Sequence, residues 1–179
     1  MLHDPRLLEK LSRLETEPFD GQVFRATWQG RDPLLFSTRG GRWSAVDSAG
    51  ILYTSLTRDG ALAEMSFHLA QMNPLPSKPL AVHTLLLHTE NSLRLLRSDL
   101  ASLGVDDGSY DAVLYDATQR AGAAAAYLGF DGLIAPSARW PCDNLMLFQE
   151  NCEGKSSPSI VQTETVEWQG WARANGFMD

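Results

Sequence analysis

Side chains able to do chemistry are thinly spread along this sequence. Glu64 and His68 stand four residues apart, a spacing that puts a carboxylate and an imidazole on one face of a helix. Arg25 lies inside a run of aromatic and β-branched residues, and Arg42 sits between Gly40-Gly41 and Trp43. A carboxylate can hold a developing positive charge, and a guanidinium can grip an anion through two parallel hydrogen bonds. Each residue also has an ordinary reading. Glu64 and His68 can be a solvated pair, Arg25 the partner of an acid across a sheet, and Arg42 a brace for the glycine loop. Tyr53 can be strand core, and Ser137 a turn former after Pro136.

The familiar signatures are missing. The four histidines are scattered, and there is no glycine-rich phosphate loop or serine-hydrolase elbow. Gly40-Gly41 lacks the third glycine and the following helix of a dinucleotide fingerprint, and Gly122 falls within an alanine run, so no Rossmann site is expected. Cys142 and Cys152 show neither CxxC spacing nor a nearby histidine pair, which argues against zinc and against a disulfide framework. Unpaired thiols, with no export signal and no long apolar run, predict a cytoplasmic protein that does not enter membranes. The net charge of −7 argues against a chain that wraps nucleic acid through phosphate contacts.

The elements that must position these residues are legible in outline. With 179 residues and 44% hydrophobic composition, the chain suits one domain over 1–179. Asp4-Pro5 starts a short amphipathic helix within an N-terminal extension, 1–21. A strand over 22–28 carries Arg25, a constrained loop over 31–50 carries Arg42, and a strand over 51–55 carries Tyr53. Thr57 or Asp59 caps a helix with Leu62, Met65, Leu69 and Met72 along one face and Glu64 beside it. A strand over 80–88, a helix over 92–103, a small-residue helix over 116–128, and strands over 131–135 and 145–148 follow. A polar loop over 153–159 and a helix over 166–175 make up the C-terminal part, 150–179. Strands and helices mix without regular alternation, predicting an α+β fold with largely antiparallel pairing.

Four segments taken in order carry a resemblance: Val23-Phe-Arg25; Phe36 to Trp43 with its Gly-Gly-Arg-Trp core; Ile51-Leu-Tyr-Thr-Ser55 leading to Ala61-Leu-Ala-Glu64; and Phe130-Asp-Gly-Leu-Ile-Ala-Pro-Ser-Ala-Arg139. Asn144-Leu-Met-Leu-Phe148 adds a closing strand. Together they resemble the RES domain family over residues 22–148, with the family's namesake Arg, Glu and Ser at Arg25, Glu64 and Ser137. Ser44 departs from the Asn that many relatives carry there.

The resemblance implies a fold similar to ADP-ribosyltransferases, with two small, mostly antiparallel sheets around a cleft for NAD+ and flanking helices. It implies the toxin of a toxin–antitoxin pair that cleaves the nicotinamide–ribose bond and passes ADP-ribose to phosphate or water. In that reading Glu64 stabilises the cationic sugar, Arg25 or Arg42 holds the phosphates, Tyr53 stacks and orients, and Ser137 bonds a ribose hydroxyl or holds Glu64. No metal is expected, since nicotinamide leaves neutral from a cationic substrate. The implied partner is an antitoxin with a helix-turn-helix DNA-binding region and a C-terminal segment over Arg25 and Glu64, so the toxin meets nucleic acid only through it. Protein ADP-ribosylation is the alternative; a non-catalytic binding module and an RNA-cleaving toxin rank below it.

Overall fold

The computed structural model describes residues 3–152, 154–155 and 157–179. The chain opens as its sequence predicts, with helix α1 (Pro5–Ser12) capped by Asp4, whose Oδ1 accepts from the backbone N–H of Arg6 at 2.9 Å. Strand β1 (Thr16–Trp28) begins earlier than the aromatic run suggests. It pairs antiparallel with β4 (Leu80–Arg94) along its whole length, with a register shift between Glu17 and Phe19. Pro18 sits in that shift and has no N–H to give the ladder; Phe19 N donates to Thr89 Oγ1 at 3.2 Å.

The strands form two antiparallel groups. One is β1, β4 and β7 (Ser159–Val166); the other is β2 (Ser37–Gly41), β3 (Ser44–Ser55), β6 (Asp143–Phe148) and β5 (Gly132–Pro136). Two seams join them, Phe24 of β1 opposite Ser55 of β3, and a parallel pairing of Ser92–Arg94 with Gly132–Ile134. The α+β class and the mostly antiparallel pairing stand, while the two expected sheets are hydrogen-bonded into one of seven strands.

Helix α2 (Arg58–Leu69) carries Glu64. Thr57 caps it, its Oγ1 accepting from Gly60 N at 3.0 Å. The helix stops before Met72, which lies 52% exposed beyond it rather than on the buried face. Leu62 and Leu69 pack with Leu80 and Val82 of β4 and Trp168 of helix α5 (Trp168–Ala174). Burying one such leucine contributes about 1.5–3 kcal/mol, more than the roughly 0–1 kcal/mol typical of exposed ion pairs. Packing, not the half-exposed Arg58–Glu164 pair, therefore fixes α2.

Four further expectations change. The constrained loop expected over 31–50 is largely a hairpin of β2 and the first half of β3, so the strand expected over 51–55 starts at Ser44. The helix expected over 92–103 divides, because Ser92 and Leu93 are buried as the end of β4, and a 3-10 helix covers only Arg97–Leu103. Strand β7 escaped the pattern reading because its mostly exposed edge gives no apolar alternation. The final helix consequently starts at Trp168 rather than Val166, with Glu167 as its cap. Of the loop expected over 153–159, Glu153 and Ser156 lie outside the described residues; the short helix α4 (Gln149–Cys152) precedes it.

Helix α3 (Asp116–Tyr127) is the small-residue helix, with Ala121, Gly122, Ala124 and Ala125 buried. It approaches so closely that a Cβ on Gly122 would stand 2.0 Å from the carbonyl oxygen of Trp43. One turn earlier, Gln119 Nε2 donates to Gly41 O at 2.9 Å and Ser44 O at 3.3 Å, clamping the turn between β2 and β3. Helix propensity alone would make Gly122→Ala stabilising by about 1 kcal/mol. The contact reverses the sign, and the expected result is a loss of about 1–3 kcal/mol, read from the thermal unfolding midpoint. A midpoint at or above wild type would show that α3 does not depend on this approach.

Candidate active site

A cleft of about 590 Å³ opens where the two strand groups meet α2, within the range of small-molecule sites. It is lined by Arg25, Arg42, Tyr53 and Glu64, four of the five residues to which the resemblance gives a role, and by His68. Ser137 lies behind Glu64, buried, and touches the cleft through it. A second cavity of about 470 Å³ beside α1 contains none of them.

Glu64 is held through one oxygen. Its Oε1 accepts from Ser137 Oγ at 2.7 Å and from Asn144 Nδ2 at 2.8 Å, and among the described residues no hydrogen bond uses Oε2. Ser137 is itself fixed, because its Oγ accepts from the backbone N–H groups of Arg139 at 3.1 Å and Trp140 at 3.2 Å. The loop after β5 thus orients the hydroxyl, which donates its hydrogen bond to Glu64. Of the two roles open to Ser137, the geometry supplies the hold on the carboxylate.

Arg25 projects from β1 into the same cleft, opposite His83 in the register rather than opposite an acid. Among the described residues it has no ion pair, and its buried Nη1 has no hydrogen-bond partner. Burial pulls its pKa down to about 10, with Asp32 opposing and Arg31 assisting, so the group stays charged at neutral pH. His83 is buried too, its nitrogens at 2.9 Å from Thr27 Oγ1 and Thr163 Oγ1. Burial first, then Arg25, lower its pKa, keeping a neutral ring beside the guanidinium.

Arg42 stands at the cleft with its guanidinium engaged. It donates to Tyr110 O at 2.5 Å and Ala112 O at 3.4 Å, and lies 4.7 and 4.8 Å from the ring centres of Tyr110 and Tyr115. The bracing role is therefore visible. Tyr53 fits against Gly41, where a Cβ would come within 2.7 Å of the phenol oxygen. That oxygen accepts from Trp43 N at 3.2 Å, and burial raises the pKa, so the phenol keeps its proton. His68 lines the cleft as a neutral imidazole, its pKa lowered chiefly by burial against the pull of Glu64.

Three arginines, Arg25, Arg39 and Arg42, line the cleft with one carboxylate, Glu64, an excess of cations that attracts anions into an otherwise acidic protein. Sequence reading missed Asn144 as a site residue. It stands between Asp143 and the apolar run 145–148, a place that gives no sign of its contact with Glu64. Among the described residues no group of three or more His, Cys, Asp or Glu side chains could hold a metal, and no helix is long and apolar enough to cross a membrane.

The same α+β arrangement recurs in a solved structure described as the M. tuberculosis MbcT–MbcA toxin–antitoxin complex, with a TM-score of 0.80 over 97% of this chain and 98% of that one, at 17% identity. The family model described as RES domain matches residues 13–169, and the chain belongs to the RES domain family. Comparison with curated proteins gives no match.

Ser137→Ala removes the acceptor of two backbone N–H groups as well as a donor to Glu64. It is expected to cost about 1–3 kcal/mol, seen as a lower unfolding midpoint; an unchanged midpoint would contradict the hold described. The depressed pKa of His83 means the unfolded chain takes up a proton at about pH 6.5 that the folded chain refuses. Stability should then fall as pH drops below that value, and His83→Gln should flatten the fall in melts run at successive pH values. An equal slope in both proteins would remove His83 from the effect.

Proposed function

We propose that this chain is the toxin of a toxin–antitoxin pair that consumes NAD+, breaking the nicotinamide–ribose bond and passing ADP-ribose to phosphate or water. The observation that carries the reading is Glu64, tethered through Oε1 with Oε2 unbonded among the described residues, in one cleft with the half-buried guanidinium of Arg25, whose Nη1 has no hydrogen-bond partner among them. Family membership is consistent with it.

The chemistry follows from charge. As the bond from the ribose C1′ to nicotinamide breaks, its electron pair leaves with the ring, which becomes neutral, and the sugar becomes an oxocarbenium ion. Glu64 Oε2 stabilises that cation, and two donors on Oε1 keep the carboxylate from swinging away. An oxygen of phosphate or water then bonds to C1′; with water, one proton is released to solvent. Arg25 offers a planar charged fork to the pyrophosphate, with Arg42 a second cation behind it, braced by Tyr110 and Ala112. Tyr53 offers a ring to stack on and a phenol proton to donate, and Ser137 acts through Glu64. No step calls for a metal.

The partner in this reading is an antitoxin with a helix-turn-helix DNA-binding region, whose C-terminal segment covers Arg25 and Glu64. The solved structure similar to this chain is described as a toxin–antitoxin complex. Apolar side chains at the cleft favour a protein cover: Val46, which lines it, is 66% exposed, and Leu114, beside the lining residue Tyr115, is 72% exposed. Action in the cytoplasm, on the cell's own NAD+, completes the proposal.

Purified protein incubated with NAD+ is expected to release nicotinamide. Glu64→Gln keeps the side-chain volume and an oxygen for both donors but removes the charge, and should lower release by at least about a hundredfold with the unfolding midpoint retained. A folded Glu64→Gln protein as active as wild type would remove Glu64 from the reaction.

A further inference from the structure

We infer that Asn144 is a positioning residue for Glu64, a role resting on the reading above in which the carboxylate stabilises the sugar cation. The register places it: Asn144 of β6 lies opposite Ser55 of β3, which lies opposite Phe24 of β1, so its amide stands in the cleft wall facing α2. The amide orientation is set by the network, because reversing it would turn Oδ1 against the carboxylate oxygen now accepting from Nδ2 at 2.8 Å.

The other end of the amide distinguishes this role from structural glue. Among the described residues Asn144 Oδ1 is buried without a hydrogen-bond partner, and the side chain's one hydrogen bond is to Glu64. An unmatched buried carbonyl costs about as much as a single charge-assisted hydrogen bond contributes, so the amide adds little net stability. Its effect falls on the carboxylate. With Ser137 it places two donors on Oε1, and two donors arriving from different elements define the carboxylate plane where one would leave it free to rotate. Ser137 comes from the loop after β5 and Asn144 from β6, so the aim of Oε2 is set by the sheet and not by α2 alone.

The test compares wild type, Asn144→Leu and Asn144→Asp in nicotinamide release from NAD+ and in thermal unfolding. Asn144→Leu has similar volume and no polar atom. Its kcat should fall about a hundredfold, KM should change less than about threefold, and the midpoint should stay within about 4 °C. Asn144→Asp sets two carboxyls side by side. At low pH they share a proton and the introduced carboxyl can still donate to Glu64; at high pH both are charged and the donor is gone. The ratio of its kcat to wild type should therefore rise as pH is lowered from about 8 to about 5. The cleft also holds His68, Arg25, Arg39, Arg42, Tyr53 and Tyr115, with Tyr110 and Arg139 beside it, and taking the ratio at each pH removes the pH dependence common to both proteins.

Wild-type kcat in Asn144→Leu, a midpoint loss well beyond that margin, or a pH-independent ratio for Asn144→Asp each overturns the inference while leaving NAD+ cleavage intact. Wild type that releases no nicotinamide overturns the cleavage reading and this inference with it.

Discussion

One oxygen of one carboxylate, Glu64 Oε1, accepts a hydrogen bond from the Ser137 hydroxyl and another from the Asn144 amide, and the site is arranged around that convergence. A carboxylate on a helix surface samples several rotamers, and a catalytic effect from its charge requires one of them. Here the helix supplies the charge, while a loop and a strand supply its direction. The donors are neutral, so they orient the group without cancelling the charge that a cationic sugar would meet.

The fold can be read as a means of bringing those three elements together. The seam between Phe24 and Ser55 closes the two strand groups over α2 and sets Arg25 in the same cleft as Glu64. The packing of α2 against β4 and α5 sets its height on the sheet. On the opposite wall, α3 presses on Trp43 through Gly122 and clamps the β2–β3 turn through Gln119, which in turn seats Tyr53 beneath Gly41. Arg42 and Arg139 extend the same wall by donating to the successive carbonyls of Tyr110, Asp111 and Ala112. Arg25 is the exception, a half-buried cation whose buried Nη1 finds no partner among the described residues.

Much of this was legible in the sequence, for identifiable reasons. The helices α1, α2 and α3 declare themselves through caps and periodicity, and Arg25, Tyr53, Glu64 and Ser137 through the order of four short segments. What the sequence hid was mostly a matter of edges and pairs. Strand β7 lies on an exposed rim, so its burial pattern carries no alternation. The end of β4 reads as helix because Leu93, Leu96 and Leu100 recur at helical spacing, and only the flanking of Arg94 by Glu17 and Asp143 across the sheet shows the strand. Asn144 was hidden for another reason: a hydrogen bond across 80 residues leaves no local trace, and an amide at a strand start looks like any turn residue.

The most direct measurement of the central claim is a crystal structure of the Glu64→Gln protein with NAD+ bound. The nicotinamide ribose is expected against residue 64, with C1′ facing the amide nitrogen that stands in the place of Glu64 Oε2, and the pyrophosphate on Arg25. A dinucleotide bound elsewhere, such as the cavity beside α1, or seated in the cleft with its ribose turned away from residue 64, would contradict it.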